Sequence, residues 1–247
     1  MSASEAALDV STRPGTLVAL YRLLLRAQIT IQRLLGIGAL GAIAVLIGLL
    51  ARSDANPAQA AADGVAGYGL GLLVPLAALW LGASAIGDLV EDRLLAYLWL
   101  KPVPRWQLPA AAALATATIV LPLAVLPLVV SALVAGAGEV AWLTLLAATL
   151  AALAYAGLFA AAGLAFKRAV WLGLAFILLW ENVAANAAAG TARFTVLGWA
   201  VSILDLASDV QVSPKAGSAA LAFVVLPAIA VAAWLLATWR YRRMDID

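Results

Sequence analysis

The chain contains neither cysteine nor histidine, and only 11% of its 247 residues are charged. Without cysteine there can be no disulfide and no thiol catalysis, and without histidine no histidine general base, metal ligand or haem ligand. Soluble domains carry roughly a quarter charged residues. This chain is instead 66% hydrophobic, with a mean hydropathy of +1.04. The composition therefore indicates a polytopic membrane protein.

Motifs for catalysis and nucleotide binding are missing as well. The chain has no Gly-x-x-x-x-Gly-Lys-Ser/Thr loop, so it cannot bind ATP in the P-loop manner, and it has no His-Glu-x-x-His or Gly-x-Ser-x-Gly motif. Its net charge of +2 gives no indication of a nucleic-acid partner. We therefore expect no enzyme, no cofactor and no metal site in this chain, and energy for any work must come from elsewhere.

Six long apolar runs predict the fold. They cover 34–51, 66–87, 109–135, 141–165, 169–188 and 217–239. Each is near the ~20 residues needed to cross the hydrocarbon core, and continuous runs favour helices over barrel strands. The prediction is one all-α domain with six transmembrane helices. A tight turn is expected at 136–139, and Pro122 and Pro127 predict a bent or locally unwound third helix.

The basic residues predict the orientation. Twelve lie in one set of connections and termini, and the opposite set has three, Arg52, Arg193 and Lys215. The twelve are Arg13, Arg22, Arg26, Arg33, Arg93, Lys101, Arg105, Lys167, Arg168, Arg240, Arg242 and Arg243. Basic residues concentrate on the cytoplasmic side. We therefore expect both termini in the cytoplasm of a bacterial cell, with the chain in the cell membrane.

The segment before the first span predicts a helix at the membrane surface. Residues 1–12 are polar and predicted to be disordered, and 14–33 is predicted to be one interfacial helix. At 100° per residue, Arg22, Arg26 and Arg33 fall within about 40° of one another. Leu17, Leu20, Tyr21 and Leu24 cluster on another side. The alternative is an extension of the first span with ordinary positive-inside arginines.

A charged segment, 88–108, separates the second and third apolar runs. Within it, 92–100 reads as a short amphipathic helix, and the acidic residues at its start suit the helix dipole. Pro102 and Pro104 force an extended exit. Such a helix could dock on a soluble protein, or the segment could be a solvated loop that only fixes topology. The residues alone leave both open.

The stretch from Glu91 to Trp106 resembles the cytoplasmic loop of ABC-2-type transporter permeases. In that family an acidic residue precedes a short Leu-rich helix, and a Pro-Val-x-Arg turn leads into the third span. Here Glu91 takes the acidic position and Pro102-Val103-x-Arg105 takes the turn. This chain has Leu94-Leu95 where family members often carry Gly-Thr. The order of elements along most of the chain is similar too.

The resemblance implies the membrane subunit of an ATP-binding-cassette exporter. Such permeases pair as homodimers or heterodimers with two copies of a separate ATPase, which holds ATP and Mg. The residues expected to couple to it are Glu91, Asp92, Leu95, Leu98, Lys101, Pro102, Val103, Arg105 and Trp106. Few intramembrane charges favour a lipid, a hydrophobic peptide or an amphiphilic drug as substrate. The alternative function is a non-transporting membrane anchor or sensor that recruits a cytoplasmic protein.

A second group of polar residues, Trp180, Glu181, Asn182 and Asn186, lies in the fifth apolar run. Glu181 is predicted roughly 18 Å along that helix, where an ionisable side chain must face protein or a water-filled cavity. A Trp-Glu pair here also resembles a feature of some ABC-2 permeases. Glu181 could line a substrate path, hold an outer gate or anchor a dimer. It could equally do no more than bond neighbouring backbone.

The segment 189–214 is too polar for a full span. Its apolar patch, 194–206, predicts a short helix that lies on the outer membrane surface or dips partly in. The family resemblance implies re-entrant or surface helices in this region. Asp205 and Asp209 are four apart, and we favour solvated surface residues over an acid–base pair or a cation site.

Overall fold

The computed structural model describes residues 14–91, 104–166, 168–187, 190–208 and 210–243, and all regular structure within them is helical. Within these ranges, six helices are long and apolar enough to cross a membrane. In chain order, spans 1 to 6 are Ile31–Ala51, Pro57–Ala85, Gln107–Val134, Gly138–Ala165, Ala169–Ala187 and Ala219–Arg242. The prediction of an all-α, multi-pass membrane protein is thereby confirmed. The predicted disordered tail and the predicted coupling helix lie outside the described residues.

Span 2 begins earlier than the sequence predicts. Its helix starts at Pro57 rather than 66, and the other span boundaries lie within three residues of the predicted ones. Pro57 stands in the first turn, where its missing N–H costs nothing. The Asn56 side chain caps that turn by accepting from the Gln59 amide at 3.2 Å. Because Gln59 and Asp63 are polar, the apolar run that predicts span 2 begins only after them.

The predicted helix 14–33 is divided in two. An N-terminal helix, Pro14–Gln28, is followed by a break at 29–30, where Thr30 is extended with φ −116° and ψ 143°. Arg33 therefore lies on span 1 and does not share a helix with Arg22 and Arg26. The helix before the break packs against span 3.

The apolar side of the N-terminal helix faces protein. Leu20 and Leu24 are buried in a core cluster with residues of spans 3, 4 and 6. Gln28, also buried, donates through Nε2 to Thr116 Oγ1 at 3.4 Å. Arg22 and Arg26 are exposed on the opposite side. The helix thus has a protein-facing apolar side and an exposed basic side.

Spans 2 and 4 form the centre of the bundle. The most apolar windows of these helices are 67% and 56% buried, against 22–29% for spans 1, 5 and 6, which are therefore peripheral. Small side chains permit the central contact. A Cβ on Gly163 would lie 2.7 Å from the Ala83 carbonyl oxygen, so spans 2 and 4 approach backbone to backbone there.

Three spans contain π-helical turns, which are Val65–Leu73 in span 2, Leu121–Val125 in span 3 and Phe176–Ala184 in span 5. The turn in span 3 includes Pro122 and directly precedes Pro127. Proline has no N–H to donate within an α-helix, so a local change of hydrogen-bond register is expected there. The π turn in span 5 contains no proline, and the prolines gave no indication of it.

The two ends of the bundle can be told apart by their residues. We call the end that carries residues 104–106, Phe166, Arg168 and 240–243 the Arg105 end, and the opposite end the Glu139 end. At the Glu139 end, spans 3 and 4 are joined by the predicted tight turn, in which Gly136 has φ +85°. Between spans 5 and 6 lies one short α-helix, Val196–Leu204, whose nine residues are all buried.

Candidate functional site

The first candidate site surrounds Glu181, in the π turn of span 5. Its side chain is completely buried. Oε2 accepts hydrogen bonds from Tyr155 Oη and the Leu197 amide, both at 2.8 Å, and Oε1 accepts from the Val196 amide at 3.1 Å. The carboxylate therefore joins span 5 to span 4 and to the short helix.

Glu181 completes the N-terminus of the short helix. The first amide groups of a helix have no partner within it, and in an apolar interior an unpaired amide is costly. Glu181 serves Val196 and Leu197, while Thr195 Oγ1 accepts from the Gly198 amide at 3.0 Å. Negative charge also suits the positive end of the helix dipole. The helix can therefore begin inside the bundle without unpaired donors at these positions.

The site lies near the middle of the bundle. Ten residues separate Tyr155 from the end of span 4, and twelve separate Glu181 from the start of span 5. At 1.5 Å per residue these are about 15 and 18 Å from the Arg105 end, in a core of about 30 Å.

The short helix runs from this depth to the Glu139 end. Just beyond its C-terminus, the Ser208 amide and hydroxyl donate to the Glu139 carboxylate at 3.1 and 3.3 Å. Glu139 lies in the first turn of span 4. The helix therefore dips into the bundle and does not lie across its end.

The other predicted residues of this group bond separate neighbours. Asn182 Nδ2 donates to the Gly71 carbonyl at 2.9 Å and to Ile177 at 2.8 Å, and so connects the π turns of spans 2 and 5. Asn186 Nδ2 donates to the Asn182 carbonyl at 2.7 Å. Trp180 is 46% exposed, and its Nε1 donates to the Phe194 carbonyl at 3.1 Å. Only Glu181 is fully buried.

Sequence reasoning missed two buried polar residues of this region. Tyr155 is fully buried in an alanine-rich run, where a lone phenol is the available signal. Ser202 lies within the short helix. Its hydroxyl donates to the Gly198 carbonyl at 2.8 Å and accepts from the Ala216 and Gly217 amides at 3.0 and 3.3 Å. Ser202 thus ties the short helix to the chain that enters span 6.

Side-chain pairs fasten the segment after the short helix. Asp205 accepts from Lys215 Nζ at 2.8 Å on the surface, and Asp209 lies outside the described residues. Gln59 exchanges two hydrogen bonds of 2.9 Å with the backbone of Gln211. Within the described ranges, no three acidic side chains lie close enough together to hold a metal ion.

The second candidate site is the turn that leads into span 3. Arg105 Nη1 donates to the Arg242 carbonyl at 2.7 Å, and Trp234 Nε1 donates to the Trp106 carbonyl at 3.3 Å. The indole rings of Trp106 and Trp234 meet edge to face at 6.3 Å. A guanidinium at the last carbonyls of a helix satisfies acceptors that lack partners and suits the dipole. The start of span 3 is thereby bound to the last turns of span 6.

The structure describes only part of the predicted coupling set. The helix of span 2 ends at Glu91, and Arg105 and Trp106 are exposed. The predicted residues Asp92, Leu95, Leu98, Lys101, Pro102 and Val103 lie outside the described residues.

No protein-family model and no curated protein sequence matches this chain. A family assignment therefore remains a proposal, based on residues 91–106 and on the order of the helices.

Proposed function

We propose that this chain is the transmembrane subunit of an ATP-binding-cassette exporter of the ABC-2 kind. Two such subunits would bind two copies of a separate ATPase that holds ATP and Mg, in a bacterial cell membrane with both termini in the cytoplasm. The substrate class is lipid, hydrophobic peptide or amphiphilic drug. Six apolar helices and the charged segment between spans 2 and 3 support this proposal.

The bonding of Arg105 and Trp106 to span 6 is the observation that carries it. If the charged segment 88–108 did no more than fix the orientation of the chain, its last residues would not need hydrogen bonds to another span. Here the hydrogen bonds from Arg105 to Arg242 and from Trp234 to Trp106 brace those residues. A partner that pushes on residues 91–103 would therefore displace spans 3 and 6 together.

The position of the short helix limits where a substrate could pass. It is buried throughout and occupies the half of the bundle toward the Glu139 end, where Glu181 fixes its start. Under this proposal the path lies between two copies of the chain and not inside one. Glu181 then acts as a positioning residue for the short helix, not as a group that contacts substrate.

In this proposal the N-terminal helix lies at the membrane surface. Its buried side is already packed on the spans, so the exposed side would meet the headgroup layer. That side carries Arg22 and Arg26 together with exposed Val18 and Leu23. Basic and apolar side chains on one exposed face suit the boundary between headgroups and acyl chains.

The direct test is to purify the chain in mild detergent and identify by mass spectrometry what remains bound. The proposal expects a soluble protein with a Gly-x-x-x-x-Gly-Lys-Ser/Thr loop in about equal amount. A matched preparation that lacks residues 92–100 should lose that protein while still purifying as a folded chain. Recovery of the chain alone, under conditions that preserve known complexes, would contradict the proposal and favour the membrane anchor.

A further inference from the structure

An apolar groove of about 240 Å³ lies between spans 3, 4 and 6. Its lining includes Ala113 and Leu114 of span 3, Gly157 of span 4, and Pro227 and Val231 of span 6. Leu114 and Val231 are 50% and 53% exposed, so they form the edges of an opening on the outside of the bundle. In a membrane, this opening faces acyl chains.

Small residues create the groove. Span 6 packs closely on span 4 at Gly157, where an added Cβ would lie only 3.2 Å from the Ala230 carbonyl oxygen. Span 3 also packs on span 4, and the small side chain of Ala113 lines the space between spans 3 and 6. Span 4 lines the groove with Leu150, Leu153 and Gly157, and the exposed side chains of Leu114 and Val231 stand at its edges.

The groove lies at acyl-chain depth. Ala113 is six residues from the start of span 3, and Val231 is eleven residues from the end of span 6. At 1.5 Å per residue these positions are about 9 and 17 Å from the Arg105 end. Ala113 therefore lies in the half of the hydrocarbon core nearer that end, and Val231 lies close to the middle of the core.

Aromatic and basic side chains lie between the groove and the Arg105 end. Trp106 and Trp234 stand on the same helix faces as Ala113 and Val231, seven residues before the first and three after the second. The bond from Arg105 to Arg242 lies along the same seam between spans 3 and 6. Arg242, eleven residues after Val231, lies on the same helix face and is exposed.

This order of side chains matches a phospholipid from tail to headgroup. Tryptophan is enriched at the level of the headgroups, and arginine near the membrane surface attracts anionic lipids. We propose that the groove binds an acyl chain of an anionic phospholipid, whose headgroup lies beside Arg105 and Arg242. The inference does not depend on the proposed ATPase, since it rests on the contacts of spans 3, 4 and 6 alone.

The test uses the full chain in nanodiscs that contain phosphatidylglycerol with a photoreactive diazirine in one acyl chain. After irradiation, cross-linked peptides are mapped by mass spectrometry, without ATP or any partner protein. We expect cross-links concentrated at 113–114, 150–157 and 227–231. An even distribution over the exposed faces of spans 1, 5 and 6 would overturn the proposal, as would a groove without cross-links because a second copy covers it.

Two variants should fill the groove, and one matched variant should not. Ala113→Phe places a ring in the groove, and Val231→Phe narrows its opening. Each should lower groove cross-linking about tenfold, because the acyl chain loses burial of several methylenes. Ala232→Phe changes an exposed residue of span 6 that does not line the groove and should leave cross-linking unchanged. Equal yields from A232F and both groove variants would overturn the site.

A separate arm of the same experiment tests the preference for an anionic headgroup. Phosphatidylcholine with the same photoreactive chain should give about tenfold less groove cross-linking than phosphatidylglycerol at low salt. Arg242→Gln should reduce that preference while leaving the position of the cross-links unchanged. Equal labelling by the two lipids would overturn the anionic assignment.

Discussion

At the scale of the residue, Glu181 shows how an apolar bundle retains a carboxylate. A buried charge is tolerated when hydrogen bonds satisfy it, and removal of its partner groups is costly. Three donors from two elements meet this one side chain. The same contacts explain why the short helix can begin in the interior. Glu181 therefore holds the start of the short helix in place.

Glu181→Gln should destabilise the protein because the amide can present only one oxygen to donors on both sides. One backbone N–H then loses its acceptor, at a cost of about 1–3 kcal/mol. For a chain of this size, this corresponds to a melting temperature lower by about 2–12 °C. Tryptophan fluorescence during heating in detergent measures the change.

The matched control is Glu139→Gln, which makes the same substitution at an exposed carboxylate that bonds Ser208. Surface substitutions usually change stability by less than about 0.5 kcal/mol. Tyr155→Phe should fall between the two, since it removes one donor and leaves both backbone bonds to Glu181. If E181Q has the same melting temperature as the unaltered protein, Glu181 does not hold the short helix in place.

At the scale of the element, the π turns of spans 2 and 5 fit together through Asn182. A Cβ on Gly71 would lie 2.9 Å from Asn182 Oδ1, so the glycine makes room for this amide. Gly71→Ala should therefore destabilise the protein by displacing Asn182 from its bond to the Gly71 carbonyl. In an Asn182→Ala background, the same G71A change should cost much less.

A double-mutant cycle measures this coupling, which we expect at about 0.5–3 kcal/mol, the range for residues in direct contact. Gly67→Ala is the matched control in the same π turn, because a Cβ at Gly67 would meet no atom within 4 Å. It should show no coupling to N182A. Additive costs for G71A and N182A would mean that the two turns do not depend on this contact.

Prediction from sequence succeeded where a signal was local. The six spans, the turn at Gly136 and the disturbance near Pro122 each follow from composition or from one residue type. The partners of Glu181 did not follow, because they meet only after the chain reverses between span 5 and the short helix. The break before Ile31 was also missed, because a helical period does not record tertiary contacts such as the packing of Leu24 against other spans.

At the scale of the whole molecule, the distribution of basic residues predicts which end faces the cytoplasm. The cysteine-free chain allows a direct test with single cysteines. Ser53→Cys lies exposed between spans 1 and 2 at the Glu139 end, and Arg168→Cys lies exposed at the Arg105 end. In intact cells, a membrane-impermeant maleimide should label S53C only, and both after permeabilisation. Labelling of R168C in intact cells would reverse the orientation.

The proposed exporter depends on transmission of force across the whole molecule, from the charged segment to the spans. Replacing Glu91 and Arg105 together by glutamine should leave ATP hydrolysis by the bound ATPase but abolish its coupling to transport. The reason is that R105Q removes the guanidinium that binds the Arg242 carbonyl, so displacement of the segment no longer carries span 6 with span 3. Vesicle transport and phosphate release, measured on one preparation, give the ratio of substrate moved to ATP consumed.

Arg52→Gln with Asp54→Asn supplies the control, since it removes one basic and one acidic residue at the Glu139 end, away from the proposed lever. That pair should keep the transport ratio of the unaltered protein. Normal transport by the Glu91 and Arg105 variant would show that force does not pass through this turn, even if an ATPase is bound. Loss of ATPase binding in that variant would instead place Glu91 and Arg105 in the docking surface. The bond between Arg105 and Arg242 predicts intact ATPase binding with a lower ratio of substrate moved to ATP consumed.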